Sequence, residues 1–250
     1  MSLDLAGRWL FLSLALSLFG ADPSAAQAPA PVQPSGPAAI SMEQEQHHHL
    51  VFENSYVRAY YVEIPGHEST LYHRHDLPYV SLPPPSSSAL PTAPRVGYTP
   101  GGFSHAVNNP SNAPLQNVAV ELLRPQGNAR NRCMEAIRGQ PLNDCDKPAS
   151  PSPSLPLHYA LFETGEILVE YWELSPNSAT NPADTRLDML VGSLSGITAV
   201  DAATASPLEA QAGLTWLPAG SDTIFKTGAK SGGHYITIKF KDSASAQASQ

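Results

Sequence analysis

Charge is scarce in this chain. Only 14% of its 250 residues are charged, well below the quarter usual for globular proteins. Basic residues are the scarcer kind, 14 against 22 acidic, for a formal net charge of −8. A chain so poor in cations gains nothing from a phosphate backbone, so nucleic-acid binding is not expected. There are two cysteines, Cys133 and Cys145, and nothing near them completes a zinc set. No apolar run reaches the ~20 residues that a transmembrane helix needs. Ser-His-Asp order, a phosphate loop and a nucleotide fingerprint are all missing. Helix-like patterns longer than a turn or two are also missing after the N-terminal run, apart from "ARNRCMEAIRG", which could form one short helix. Proline, by contrast, is abundant at 25 residues, about twice the average. The length suggests one large or two small domains, and a hydrophobic content of 42% is enough for a real core.

The N-terminus reads as an export signal. Arg8 gives a thin positive start, "WLFLSLALSLF" (residues 9 to 19) has the length of a signal's apolar core, and "AAQA" offers a small-x-small cleavage site ending at Ala28. The competing reading is a short buried helix. A signal over 1–28 implies a periplasmic or secreted protein cut after Ala28, with no membrane span in the mature chain. Loss of Arg8, Asp4 and Asp22 leaves 14 − 1 = 13 basic and 22 − 2 = 20 acidic residues, net −7. No cysteine precedes Cys133, which excludes a lipoprotein anchor. In an exported chain Cys133 and Cys145 are expected to be oxidised to a disulfide; free thiols or metal ligation are the alternatives.

The chain repeats itself. "LVFENSYVRAYYVEI" (50–64) matches "ALFETGEILVEYWEL" (160–174) at an offset of 110, pairing Phe52 with Phe162, Glu53 with Glu163, Tyr61 with Tyr171 and Glu63 with Glu173. "PGGFSHAVNN" (100–109) matches "PAGSDTIFKT" (218–227) at 118, and "NVAVELL" matches "YITIKFK" at the same offset. These segments are rich in β-branched and aromatic residues with rough period-2 alternation, so they read as strands. The fold class expected is all-β: two copies of a small antiparallel barrel over 46–126 and 156–242. A flexible leader (29–45) precedes them, a connector (127–155) containing "PASPSPSLP" joins them, and a disordered tail (243–250) follows.

Two histidines stand one residue apart in "YHRHDLPY" (72–79). On a strand, side chains alternate, so His73 and His75 share a face and Arg74 takes the other. A third ligand has to come from another strand, and His105 in "PGGFSH" is the candidate, because Gly101 and Gly102 permit a tight turn into that strand. At this point the chain resembles the cupin superfamily. Gly66, His73 and His75 match its first motif, and Pro100, Gly102, His105 and Asn109 match every fixed position of P-x-G-x-x-H-x-x-x-N. The resemblance covers both halves and implies a bicupin, two jelly-roll barrels in tandem, with a divalent metal inside the first.

Three departures from the cupin pattern matter. The glutamate of the first motif is missing, and Tyr79 or Val80 stands in its place. Asp76 turns away from the histidines by strand alternation, and Glu68 lies back in the preceding turn. The ligand set is then His73, His75 and His105, neutral imidazoles that suit iron, zinc, copper, nickel or manganese better than magnesium or calcium. Next, "SLPPPSSSALPTAPRV" (81–96) has prolines where a cupin runs two more strands, which leaves the first barrel open or short of a hairpin. Finally, the second copy has lost its ligands: Ala183 and Thr185 replace His73 and His75, and Thr223 replaces His105.

The remaining candidates read as less specific. His47, His48 and His49 read as solvated residues at the start of a strand, and His67, His158 and His234 as surface or satisfied polar residues. Tyr72, Tyr79 and Phe103 are candidates for a pocket wall, with plain core as the alternative. Glu121 is either an acceptor behind a ligand histidine or a surface carboxylate. Two functions follow: a metal-dependent dioxygenase or related small-molecule enzyme, or a non-catalytic periplasmic bicupin that binds a small ligand or serves a structural role. Homo-oligomers are compatible with both. Metal affinity is expected to fall as pH drops through ~6.5, the ordinary histidine pKa.

Overall fold

The computed structural model describes residues 38–85, 95–147, 156–181 and 186–241. The signal expected over 1–28, the tail, Ala183 and Thr185 lie outside the described residues, as does the middle of the proline-rich stretch. The described residues are all-β, with one 3₁₀ turn, Met42–Gln44. The first half holds β1 (Ile40–Ser41), β2 (His48–Glu53), β3 (Val57–Ile64), β4 (His73–His75), β5 (Tyr79–Leu82), β6 (Gly97–Thr99), β7 (Phe103–His105) and β8 (Leu115–Leu122). In the connector lies β9 (Arg130–Asn131). The second half holds β10 (Leu157–Glu163), β11 (Ile167–Leu174), β12 (Ala179–Thr180), β13 (Met189–Ser195), β14 (Ile197–Asp201), β15 (Leu214–Leu217), β16 (Thr223–Thr227) and β17 (Gly233–Phe240).

Each half is a pair of sheets. In the first, β2-β3-β8-β5-β6 faces β1-β4-β7; in the second, β15-β13-β17-β11-β10-β9 faces β12-β16-β14. Strand β1 runs parallel to β4, with Ile40 opposite His73. The repeat offsets return in the pairing. Val57 pairs with Leu122 and Ile167 with Phe240; Tyr79 pairs with Thr99 and Met189 with Leu217. Even the irregularity is copied: β2 skips register between Leu50 and Phe52, and β10 between Ala160 and Phe162.

The two halves share a core. On β3, Val57 and Ala59 point to one face while Tyr60, Val62 and Ile64 point to the other, and all five are buried. On β11, Ile167, Val169 and Tyr171 likewise oppose Trp172 and Leu174. One face of each large sheet lines its own barrel, and the other packs against the opposite half. That junction includes Phe52 stacked on Trp216 (6.0 Å), Tyr98 tilted on Phe162 (5.7 Å) and the Tyr56 hydroxyl donating to Asp188 Oδ2 (2.6 Å). Sheets covered on both sides carry nearly continuous apolar strands rather than clean alternation, and all eight residues of β17 are buried.

Two expectations change. The leader is ordered at its end, because Met42 enters the first barrel's core and Glu45, buried as well, gathers hydrogen bonds there. The short helix over "ARNRCMEAIRG" does not form. Asn131, fully buried, takes its place: Oδ1 accepts from the Ala136 and Ile137 N–H groups, and Nδ2 donates to the Ile137 and Gln140 carbonyls. Those groups are what a helix would have used. Cys133 and Cys145 are bonded, with Cα atoms 4.7 Å apart.

Candidate metal centre

Strand alternation places the first two histidines as expected. His73 and His75 are buried and Arg74 is exposed. His105 lies directly across the ladder from His73. Gly102 makes this possible: it sits at φ 87°, in the left-handed region, and its N–H donates to the His75 carbonyl at 2.7 Å. His75 Nε2 lies 3.1 Å from His73 Nε2 and 3.1 Å from His105 Nε2.

A fourth imidazole joins them. His48 on β2 stands edge-on to His73, with ring centroids 4.8 Å apart. Ligating nitrogens of His48, His73 and His75 all lie within 4.8 Å of one another. The reading of His47 and His48 as solvated is therefore corrected: His47 is buried and the His48 side chain is only 5% exposed. The reason is Glu45, which is buried and whose carboxylate accepts from His48 Nδ1 (2.7 Å), His47 Nδ1 (3.0 Å) and the His47 and Leu71 N–H groups. Burial raises this carboxyl's pKa, but the His47 and His48 hydrogen bonds outweigh it and hold the group at about 2. A carboxylate on Nδ1 fixes the proton there and aims the Nε2 lone pair inward.

The cluster has the chemistry of a cation site. His73 Nδ1 is 2.8 Å from the Leu71 carbonyl, so it carries the proton and leaves Nε2 as a lone pair. His75 Nε2 faces two other Nε2 atoms, and one proton can bridge only one of those contacts. The lone pairs that remain face each other in a buried space unless a cation lies between them. Bonds of ~2.0–2.1 Å at tetrahedral or octahedral angles put neighbouring nitrogens roughly 2.9–3.4 Å apart, which brackets the 3.1 Å seen here. Burial, with smaller contributions from the neighbouring imidazoles, holds His75 at about 3 and also lowers His105. His48 is lowered for the same first reason, against the pull of Glu45. Imidazoles of this kind stay neutral, as ligands must.

A small hollow adjoins the histidines. Val62, Ile64, Val107, Leu115 and Ala119 make its apolar wall, and Thr70, Tyr79 and Asn117 are its polar lining. Tyr79, which stands where the motif's glutamate would be, stacks on His75 at 4.7 Å. Phe103 stacks on the same imidazole at 5.1 Å, while Tyr72 is exposed. Glu121 is neither surface residue nor histidine acceptor. It is buried, its Oε2 lacks a hydrogen-bond partner, Arg58 Nη1 is 3.7 Å away, and burial raises its pKa to about 7. His67 is exposed and bonded to Asn112. His158 stacks on Trp172 and meets Glu170, while His234 is buried with Nδ1 unpartnered.

The second barrel is filled instead. At the repeat offsets, Trp172 replaces Val62, Phe225 replaces Val107, Tyr235 replaces Asn117 and Met189 replaces Tyr79. These four side chains are buried and belong to one apolar cluster. Thr223, in the place of His105, is buried too. Among the described residues no second group of potential ligands converges, and no helix is long and apolar enough to cross a membrane.

The sequence matches no protein-family model and no curated protein. Solved structures do resemble the chain. AerE from Microcystis aeruginosa aligns with a TM-score of 0.53 and 11% identity, over 80% of this chain and 96% of its own. A salicylate 1,2-dioxygenase from Pseudaminobacter salicylatoxidans aligns with a TM-score of 0.50 and 12% identity, over 80% and 77%. The fold is that of a bicupin. A cupin 2 conserved barrel domain protein from Leptotrichia buccalis is similar as well, at a TM-score of 0.45 and 9% identity over 78% and 88%. Among the described residues, the converging histidines belong to the first barrel alone.

Proposed function

We propose that the protein binds one divalent transition metal per chain through His73, His75 and His105, with His48 as a fourth ligand, and acts as a metal-dependent small-molecule enzyme of the dioxygenase type. One observation carries the reading: His75 Nε2 is 3.1 Å from two other Nε2 atoms, beside a small hollow with an apolar wall. A redox-active ion held by neutral imidazoles supplies dioxygen chemistry. The likeness to a salicylate dioxygenase supports the class of reaction through fold alone. The chain's own part is to hold the imidazoles neutral and to exclude water with an apolar wall.

Elemental analysis of the purified protein, followed by oxygen uptake with a panel of small phenolic acids, tests this. Expected are one metal ion per chain and uptake that stops on chelation. A metal-loaded protein inert to the panel would favour the non-catalytic binding role instead. Export is proposed on the sequence pattern alone, and mass spectrometry of the protein from its native envelope should find Pro29 as the N-terminus. An intact Met1 on most of the soluble protein would defeat that.

A further inference from the structure

Asn117 sits on β8 opposite Val62 and lines the hollow beside the histidines. Its nearest companions on that wall, Leu115, Ala119, Val62 and Ile64, have apolar side chains. Its Oδ1 is buried without a hydrogen-bond partner. Thr70, one of the hydroxyl residues of the same hollow with Tyr79, is engaged, with Oγ1 accepting from the Val107 N–H at 2.8 Å. A buried acceptor left unpaired costs about 1–3 kcal/mol, so an apolar residue would serve the fold better here.

The second half shows what the fold does when no ligand is needed. Tyr235 fills the equivalent position, fully buried, stacked on Phe225 at 4.5 Å and on Trp172 at 5.7 Å. Its hydroxyl also lacks a partner, but its ring is packed into the apolar core. In the first half the same place holds a short carboxamide that lines the hollow instead of filling a core.

We infer that Asn117 is the polar anchor of a small-molecule site whose other end is the metal. Its Oδ1 accepts a hydrogen bond from a hydroxyl or N–H of a compact, mainly apolar ligand that offers an oxygen to the metal. This rests on the metal reading above and adds the ligand's second point of attachment. Val62, Ile64 and Leu115 cover the ligand's apolar body.

Cobalt(II)-loaded protein tests the inference, with cobalt content measured first. Benzoate, 3-hydroxybenzoate and 4-hydroxybenzoate are titrated while the cobalt visible bands are followed. At least one hydroxylated probe should bind about tenfold more tightly than benzoate, the effect of one buried hydrogen bond. Asn117→Leu should bring the hydroxylated and plain probes to within about twofold of each other while cobalt content stays the same. Asn117→Asp, which keeps an acceptor, should retain the preference. Equal affinities in the unmodified protein, a preference that survives Asn117→Leu, or no probe binding to the cobalt-loaded protein would each overturn it. The wild-type comparison decides even if the leucine variant does not fold. Protein that takes up no cobalt would sink the metal reading itself, a failure visible before any probe is added.

Discussion

The two halves of this double-barrel fold have the same strand register and opposite interiors. Val57 opposite Leu122 becomes Ile167 opposite Phe240, and the skipped residue after Leu50 recurs after Ala160. Inside, His48 becomes His158, Val62 becomes Trp172 and Asn117 becomes Tyr235. The polar groups are settled differently too. In the second barrel the buried Glu170 meets Lys239 at 2.7 Å and His158 at 3.1 Å. In the first, Glu121 stands across the ladder from Tyr79 with Arg58 only at 3.7 Å, while Arg58 makes closer contacts to Glu43 and Glu53. Backbone pairing and the shared face set the fold, and a few inward positions decide whether a barrel gathers histidines or fills with apolar side chains.

The sharpest way to break the comparison is at the histidines. His73→Ala or His75→Ala should remove the metal, a loss well beyond the ~10–100-fold typical of outer-shell changes, while His158→Ala should leave occupancy unchanged. Elemental analysis of the three variants checks this. Because burial keeps His48, His75 and His105 below the ordinary histidine range, proton competition sets in at lower pH than the ~6.5 of free histidine. Metal release followed by dialysis at stepped pH should therefore have its midpoint below that value.

Trp172→Val gives the second barrel the residue of the first. It should cost about 3 kcal/mol, near the low end for emptying an aromatic site, read as a shift in urea unfolding. The reverse change, Val62→Trp, should fill the hollow and reduce probe binding without affecting the second half.

Glu121 lends the first barrel a pH dependence of its own. Its folded pKa of about 7 lies above the unfolded value of ~4.3. Between those values the native state holds more protons than the unfolded one, so stability is fullest below pH ~4 and falls as pH rises through 7. The loss is on the order of 3 kcal/mol. Glu121→Gln should flatten that slope in urea unfolding of metal-free protein. An unchanged slope would show that another group sets it.

Glu45→Gln should have the smallest effect, ~10–100-fold in metal affinity, with all four imidazoles still in place. Competition with a chromogenic chelator measures it.

Much of this was legible in the sequence. The offsets of 110 and 118 return as strand register, and His73, His75 and His105 come together because alternation and a glycine turn are local properties. His48 was not legible. In a run of three histidines, alternation leaves the inward phase open, and here the buried Glu45 holds His48 through its Nδ1. The shared core was hidden for a related reason. Val57, Ala59, Tyr60 and Val62 lie too densely for a strand with one wet face, and only the packing of the second half explains the excess. Asn131 defeated the helix over the connector through contacts that no periodicity carries.

The junction between the halves has one more consequence. Two separate single-barrel proteins joined by such a face would part on dilution. In this chain the connector makes their association unimolecular, and the effective concentration of one half around the other does not change with the amount of protein present. The chain is in effect its own dimer. Phe52, Tyr56 and Trp216, each half-buried, therefore act as interface residues within a single chain, and damage on either side of the junction is felt by both barrels.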